Sequence, residues 1–207
     1  MPVGIDAFTV RMGTPAPPAE GTIRFSAEWA QGIWQYFLDA AGAGYFLDGF
    51  VYLFGRRARE LDGLLLHWSF LFPDDIPRWV IGKNAYGALL VLEEPERDGT
   101  KGRVGMVDPL EVRYVTDAQL TLVSLLGRWL PQELLPRFLD DGIYRAWRER
   151  EGATTLDFGQ LLAIKVPLSL GGTMTPENFQ VESLNAYYQT TGALYRKTLD
   201  NEGQAPR

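Results

Sequence analysis

Cysteine is absent from this 207-residue sequence, and histidine occurs once, as His67. The absence of cysteine excludes disulfides, thiolate metal sites and cysteine nucleophiles, and it fits a reducing compartment. One histidine cannot build a usual zinc site, and no Gly-x-Ser-x-Gly pattern accompanies it to indicate a Ser-His-Asp hydrolase. We therefore expect no catalytic residues, no metal and no other cofactor.

Long apolar runs are also missing, because no stretch approaches the roughly 20 residues that a membrane span requires. Residues 1–21 contain Asp6 and several prolines, and they lack the basic start and apolar middle of a secretory signal. We interpret them as a flexible N-terminal arm. The sequence thus predicts a cytoplasmic protein with no membrane partner.

Positive charge is scarce: the formal net charge is −6 and the isoelectric point is near 4.9. A nucleic-acid-binding protein needs a basic surface, so nucleic acid is not an expected partner. An acidic surface instead favours encounter with a basic partner.

Apolar spacing, capping residues and turn residues predict the secondary structure. Helices are predicted over residues 26–41, 56–68, 116–130, 132–139, 141–150 and 184–199. Strands are predicted over residues 50–54, 78–83, 86–93, 103–107, 111–115 and 161–166. The order predicts an α+β fold with a small antiparallel sheet packed by helices. We expect a helix-plus-sheet lobe over 22–115, a mostly helical C-terminal lobe over 116–200 and a disordered tail over 201–207.

Acidic residues occur in short clusters within predicted polar loops. Adjacent carboxylates in one loop are poorly placed for general acid and base work, which usually needs two groups across a cleft. We expect these clusters to be solvated, and two of them are the candidate surface for a basic partner: Asp74, Asp75, Glu93, Glu94, Glu96 and Asp98. The pair Asp140-Asp141 is the alternative.

Several blocks of the sequence resemble the GAD-like and Tdi-type immunity proteins of bacterial type VI secretion. The first block is Gly44 to Phe54, which contains Asp48-Gly49 before a strand, and the second is Ile81 to Leu90, which contains Ala85-Tyr86-Gly87. The third is Gly105 to Leu110, which contains Asp108-Pro109, and the fourth is Leu170 to Phe179, which contains Gly171-Gly172. The blocks occur in the family's order and cover roughly residues 25 to 198. Asn84 and Ala88 depart from the family's pattern.

The resemblance implies a non-enzymatic inhibitor that binds and neutralises a cognate toxin, in known relatives notably a DNase. The sequence leaves two other hypotheses open: an adaptor module in another assembly, and an enzyme that uses Asp or Glu alone. We interpret the motif residues of the blocks mainly as fold determinants: Asp48, Gly49, Tyr86, Gly87, Asp108, Pro109, Gly171 and Gly172. Gly49 and Gly87 are expected to adopt backbone angles or close contacts that a Cβ would forbid. Oligomeric state is not predicted.

Overall fold

The computed structural model describes residues 5–16, 21–24, 33–73, 75–93, 102–152 and 154–203. Six strands form one antiparallel sheet in which the spatial order equals the chain order. They are β1 Gly44–Phe46, β2 Val51–Leu53, β3 Arg78–Asn84, β4 Leu89–Glu93, β5 Arg103–Asp108 and β6 Arg113–Thr121. Two further strands, β7 Gln160–Ile164 and β8 Phe179–Ser183, pair antiparallel in a second sheet.

Seven α-helical segments accompany the sheets within the described residues. They are α1 Ile5–Met12, α2 Ile33–Ala41, α3 Leu64–His67, α4 Leu122–Ser124, α5 Pro136–Leu139, α6 Gly142–Arg150 and α7 Leu184–Gly203. The predicted α+β class, with helices on an antiparallel sheet and a C-terminal helix, is confirmed.

Strand β4 lies at the centre of the core. Its run Leu89 to Leu92 is fully buried, so both faces of the large sheet are covered at this point. On β2, Tyr52 packs edge-to-face against Phe158, with ring centroids 4.8 Å apart. The unbroken apolar run of β4 is what a strand covered on both faces requires.

The N-terminal segment is the first correction to the sequence-based expectation. The flexible arm predicted over residues 1–21 is wrong for α1, which is helical and buries Phe8 and Met12. The Phe8 ring meets the edge of Phe46, with centroids 5.6 Å apart. Burial of these apolar side chains holds the segment against the core, although its prolines and early acid resemble a loose arm.

The region after β5 is the second correction. Residues 116–119 fit a capping box, but they continue β6, and the predicted helix over 116–130 is wrong at its start. The capping box forms later, where the Thr121 hydroxyl accepts from the Ser124 N–H, and a π-helical turn, Leu125–Trp129, follows α4. The lobe boundary expected near residue 115 therefore falls inside a strand that pairs with β5.

The end of the chain differs slightly from its prediction. Helix α7 continues to Gly203, so the disordered tail predicted over 201–207 is wrong for its first three residues, and the other four lie outside the described residues. Its middle packs on α3, where Gly192 leaves no room for a Cβ against the carbonyl of His67. The Trp68 indole N–H donates to the carbonyl of Tyr188, 3.0 Å away. The single histidine thus lies in a helix-packing contact.

Candidate functional site

The turn between β3 and β4 is organised by Asn84. Its Oδ1 accepts hydrogen bonds from the N–H groups of Tyr86 and Ala88, at 3.0 and 2.9 Å, and its Nδ2 donates to the carbonyl of Phe138 at 3.2 Å. One buried amide therefore closes the turn and ties it to α5. Asn84, one of the two residues that depart from the pattern of the immunity family, has a structural role here.

Gly87 completes this turn with a φ of +83°, which L side chains rarely adopt. A Cβ there would lie 2.8 Å from Leu161 Cδ1. The Tyr188 hydroxyl donates to the Gly87 carbonyl at 2.7 Å, so the turn lies against both β7 and α7. The expectation of strain and close packing at Gly87 is confirmed.

Tyr144 joins the turn before β2 to the turn between β3 and β4. Gly49 has a φ of +89°, and a Cβ there would lie 2.9 Å from the Tyr144 hydroxyl. That hydroxyl donates to the Asp48 carbonyl at 3.0 Å, and the Tyr144 N–H donates to the Tyr86 hydroxyl at 3.0 Å. The Asp48 carboxylate itself lies 3.7 Å from Arg148. The first two blocks are thus structurally linked.

Asp108 and Pro109 end β5 in a tight turn. The Asp108 carboxylate accepts from the N–H groups of Leu110 and Glu111, at 3.0 and 3.3 Å. Burial raises the pKa of this carboxyl, although the two backbone hydrogen bonds act in the opposite direction. Asp108 and Pro109 therefore form a turn that contains a buried carboxylate.

The fourth block forms a loop from Val166 to Asn178, which we call the anchor loop. Asn178 fixes it with three hydrogen bonds of 3.0 Å: its Oδ1 accepts from the Val166 N–H, and its Nδ2 donates to the carbonyls of Val166 and Thr173. Gly171 has a φ of +86°, and Gly172 approaches the Val166 carbonyl so closely that a Cβ would collide with it. The Gly-Gly pair is therefore required by the backbone, in agreement with its interpretation as a fold determinant.

Three of the four blocks meet at a small cavity beside the anchor loop. Its volume is about 60 Å³. That is room for about two waters at roughly 30 Å³ each, far below an ordinary small-molecule pocket. The side chains that define it are Tyr86, Asp108, Pro109, Arg137, Asp140 and Met174. The cavity therefore suits one inserted side chain better than a substrate.

The anchor loop also carries exposed apolar side chains, which the sequence did not single out. Leu170 is 76% exposed and Met174 43% exposed, and Val166 is exposed as well. The sequence signal for this apolar surface is the occurrence of apolar residues beside a Gly-Gly pair. A leucine in a loop is unusual, because loops generally lie at the surface and leucine is generally buried. These side chains form an apolar projection on a fixed backbone.

The acidic residues predicted to bind a partner are placed differently from one another. Asp75 is exposed, on the rim of an open cleft of about 400 Å³ that Leu66 and Phe72 also line. Asp74, Glu94, Glu96 and Asp98 lie outside the described residues.

Glu93 is a correction. It is only 4% exposed and belongs to a buried cluster, so the prediction that it lies on a solvated acidic surface is wrong. Its Oε1 accepts from the Tyr114 hydroxyl at 2.8 Å and from Arg78 at 3.2 Å. Strand pairing places Glu93 beside Arg78, and these internal partners hold its carboxylate.

Neither a metal site nor a membrane span is found in the part of the chain that the structure describes. No group of three or more His, Asp or Glu side chains is placed there to hold a metal ion. None of the helices in the described ranges combines the length and the apolar character that crossing a bilayer requires.

The fold defines the chain as an α+β protein built on a six-stranded antiparallel meander with a second two-stranded sheet. The crystal structure of Atu4351 from Agrobacterium tumefaciens is similar, with a TM-score of 0.62 over 90% of this chain and 87% of that chain. The sequence identity is 18%, so the likeness shows a shared fold alone. No protein-family model and no curated protein sequence matches the chain.

Proposed function

We propose that this protein is an immunity protein that acts in the cytoplasm. It binds a cognate type VI secretion toxin, a nuclease in our proposal, and covers the active or substrate-binding site of that toxin. The observation that carries the proposal is the anchor loop, which holds Leu170 and Met174 in solvent on a backbone fixed by Asn178. Large apolar side chains grouped on a rigid exposed loop are typical of a protein-binding surface.

Two further features support the proposal. The four sequence blocks that resemble the immunity family are brought together around Tyr86, Tyr144 and the anchor loop, so the resemblance concerns one connected region. The net charge of −6 suits a toxin whose active site must hold phosphates and is therefore basic.

The test is protection of a bacterial host from the product of the gene adjacent to the one that encodes this protein. We expect that product to stop growth when it is expressed alone, and co-expression of this protein to restore growth. For a nuclease, protection also leaves plasmid DNA intact. The matched control is Tyr188→Asp, which places a carboxylate at a fully buried position and should remove protection by unfolding the chain.

Two outcomes contradict the proposal. The adjacent gene product could be harmless when expressed alone, or it could kill equally well in the presence of the wild-type protein. A direct binding measurement with the purified pair separates a failure to bind from a failure to express.

A further inference from the structure

The anchor loop is fixed by hydrogen bonds in which the side chains of Leu170 and Met174 take no part. Asn178 makes three bonds across it, the Gly172 N–H donates to the Pro167 carbonyl at 3.0 Å, and the Lys165 ammonium donates to the Glu177 carbonyl at 2.6 Å. Leu170 projects from this framework and is 76% exposed. A loop already ordered in the free protein loses little entropy on binding, which is how preorganised anchors increase affinity.

Carboxylates flank the anchor loop, and they differ in how far internal partners hold them. Asp108 is buried, accepts two backbone N–H bonds and lies 4.0 Å from Arg113, whereas Asp140 is exposed. On one side, Asp108 and Asp140 line the 60 Å³ cavity that Met174 borders. On the other side, Glu177 lies in an open depression of about 310 Å³ with Thr173 and Thr175.

Three cations of this surface have internal partners, and one of them, Arg113, lies 4.0 Å from the cavity's Asp108. Arg137 pairs with Glu111, and Lys165 is bound to the Glu177 carbonyl. Asp140 has no ion pair among the described residues, so it is the carboxylate of the cavity that a partner meets, and a cationic side chain complements it.

We propose that the anchor loop, together with this cavity, is the surface that docks the toxin. Leu170 and Met174 enter an apolar pocket of the toxin, and a Lys or Arg beside that pocket meets Asp140 at the cavity. The inference rests on the proposed function, and it places the interface away from the cleft at Asp75.

The apolar half of the proposal is tested with Leu170→Asp and Met174→Glu in the full-length protein. The probe is the purified product of the adjacent gene, and the measurement is its dissociation constant by calorimetry or surface-based kinetics. We expect each variant to bind at least about 30-fold more weakly, the loss that defines a binding hot spot. Leu66→Asp is the matched control, because Leu66 is equally exposed, at 74%, and lies in the cleft at Asp75.

The charge half is tested with Asp140→Lys against Glu60→Lys. Both side chains are exposed, both changes alter the net charge equally, and Glu60 pairs only with its neighbour Arg57 among the described residues. We expect Asp140→Lys alone to slow association and to weaken its dependence on salt. Melting temperatures of all variants should stay close to the wild type, since the altered side chains are largely exposed.

Each outcome decides between the two levels of the proposal. If the wild type binds, and Leu66→Asp weakens binding whereas Leu170→Asp does not, the interface lies at the cleft. That result would overturn the inference and leave the proposed function intact. Equal on-rates for the two lysine variants would remove the cationic contact. A wild-type protein that does not bind a toxic adjacent product would overturn the proposed function and this inference with it.

Discussion

Lys83 illustrates how a single buried residue can control the response of the fold to pH. Its ammonium group donates to the carbonyl of Gln160 at 2.8 Å, where β3 faces β7, and the residue is only 3% exposed. Burial, together with the nearby positive charge of Arg57, lowers the pKa of Lys83 to about 7. The folded protein therefore releases a proton that the unfolded chain keeps up to its ordinary pKa of 10.5.

The resulting prediction concerns the free energy of unfolding. Between pH 7 and pH 10 the unfolded chain binds more protons than the folded one, so stability rises with pH, by at most about 1.4 kcal/mol per unit. Below pH 7 both states are protonated, and the full cost of a buried ammonium group is present. We expect urea unfolding to show a gain of about 2 kcal/mol from pH 7 to pH 9 that Lys83→Met removes.

Lys165→Met is the control for this prediction. Lys165 also donates its ammonium N–H to a backbone carbonyl, but it is exposed. Its replacement should leave the pH dependence as in the wild type. Identical pH profiles for the wild type and Lys83→Met would contradict the assignment.

At the scale of elements, the cluster around Glu93 spans four consecutive strands of the large sheet, β3 to β6. Arg78 on β3, Glu93 on β4 and Tyr114 on β6 meet there, and Gly105 on β5 leaves the space in which the Tyr114 ring lies. The side chains of Arg78 and Glu93 are 4% and 5% exposed. The stability of this end of the sheet depends on the arrangement, because a buried charge that loses its counter-charge lowers the free energy of unfolding.

We predict that Glu93→Leu lowers the free energy of unfolding by about 3 kcal/mol or more, since it removes the carboxylate opposite Arg78 and the acceptor of the Tyr114 hydroxyl. Chemical denaturation measures the change. Glu60→Leu makes the same substitution in an exposed pair with Arg57 and should cost no more than about 1 kcal/mol. Similar losses in the two variants would show that burial of the Glu93 pair adds nothing.

The sequence predicts most of the strands but not the start of α4. Short apolar runs bounded by turn residues indicate β3, β4 and β5, and such a pattern is visible within the strand's own sequence. Residues 116–119 carry a genuine capping pattern, yet pairing of Thr116 with Gly105 extends β6 through them. Strand pairing depends on a partner elsewhere in the chain. It can therefore override a local helix-capping pattern, and the local sequence alone does not show which of the two prevails.

The candidate site is less predictable for the same reason. Gly87 and Gly171 are recognisable as turn residues, and their positive φ values agree with that interpretation. That Met174 borders a cavity with Asp108 and Asp140 depends on the packing of β5, α5 and the anchor loop, which are far apart in the chain. Exposure of Leu170 likewise follows from the tertiary structure, because a leucine in sequence is read as core.

For the whole molecule, net charge gives a prediction that does not depend on the proposed function. With a charge of −6, the protein should not shift duplex DNA in a gel at about 0.15 M salt, where non-specific binding requires a basic surface. A basic protein of similar size is the positive control. A micromolar shift that weakens as salt increases would contradict the prediction and would favour direct contact with nucleic acid.

The meander order of the large sheet has a consequence for synthesis on the ribosome. Each strand pairs with the strand synthesised just before it, so the loops that must close are short. The hairpins can therefore form one after another as the chain leaves the ribosome. The sheet is complete once Thr121 has emerged, whereas the anchor loop is pinned only after Asn178. A nascent chain can thus acquire its sheet well before the anchor loop is fixed, so the proposed docking of a toxin requires synthesis beyond Asn178.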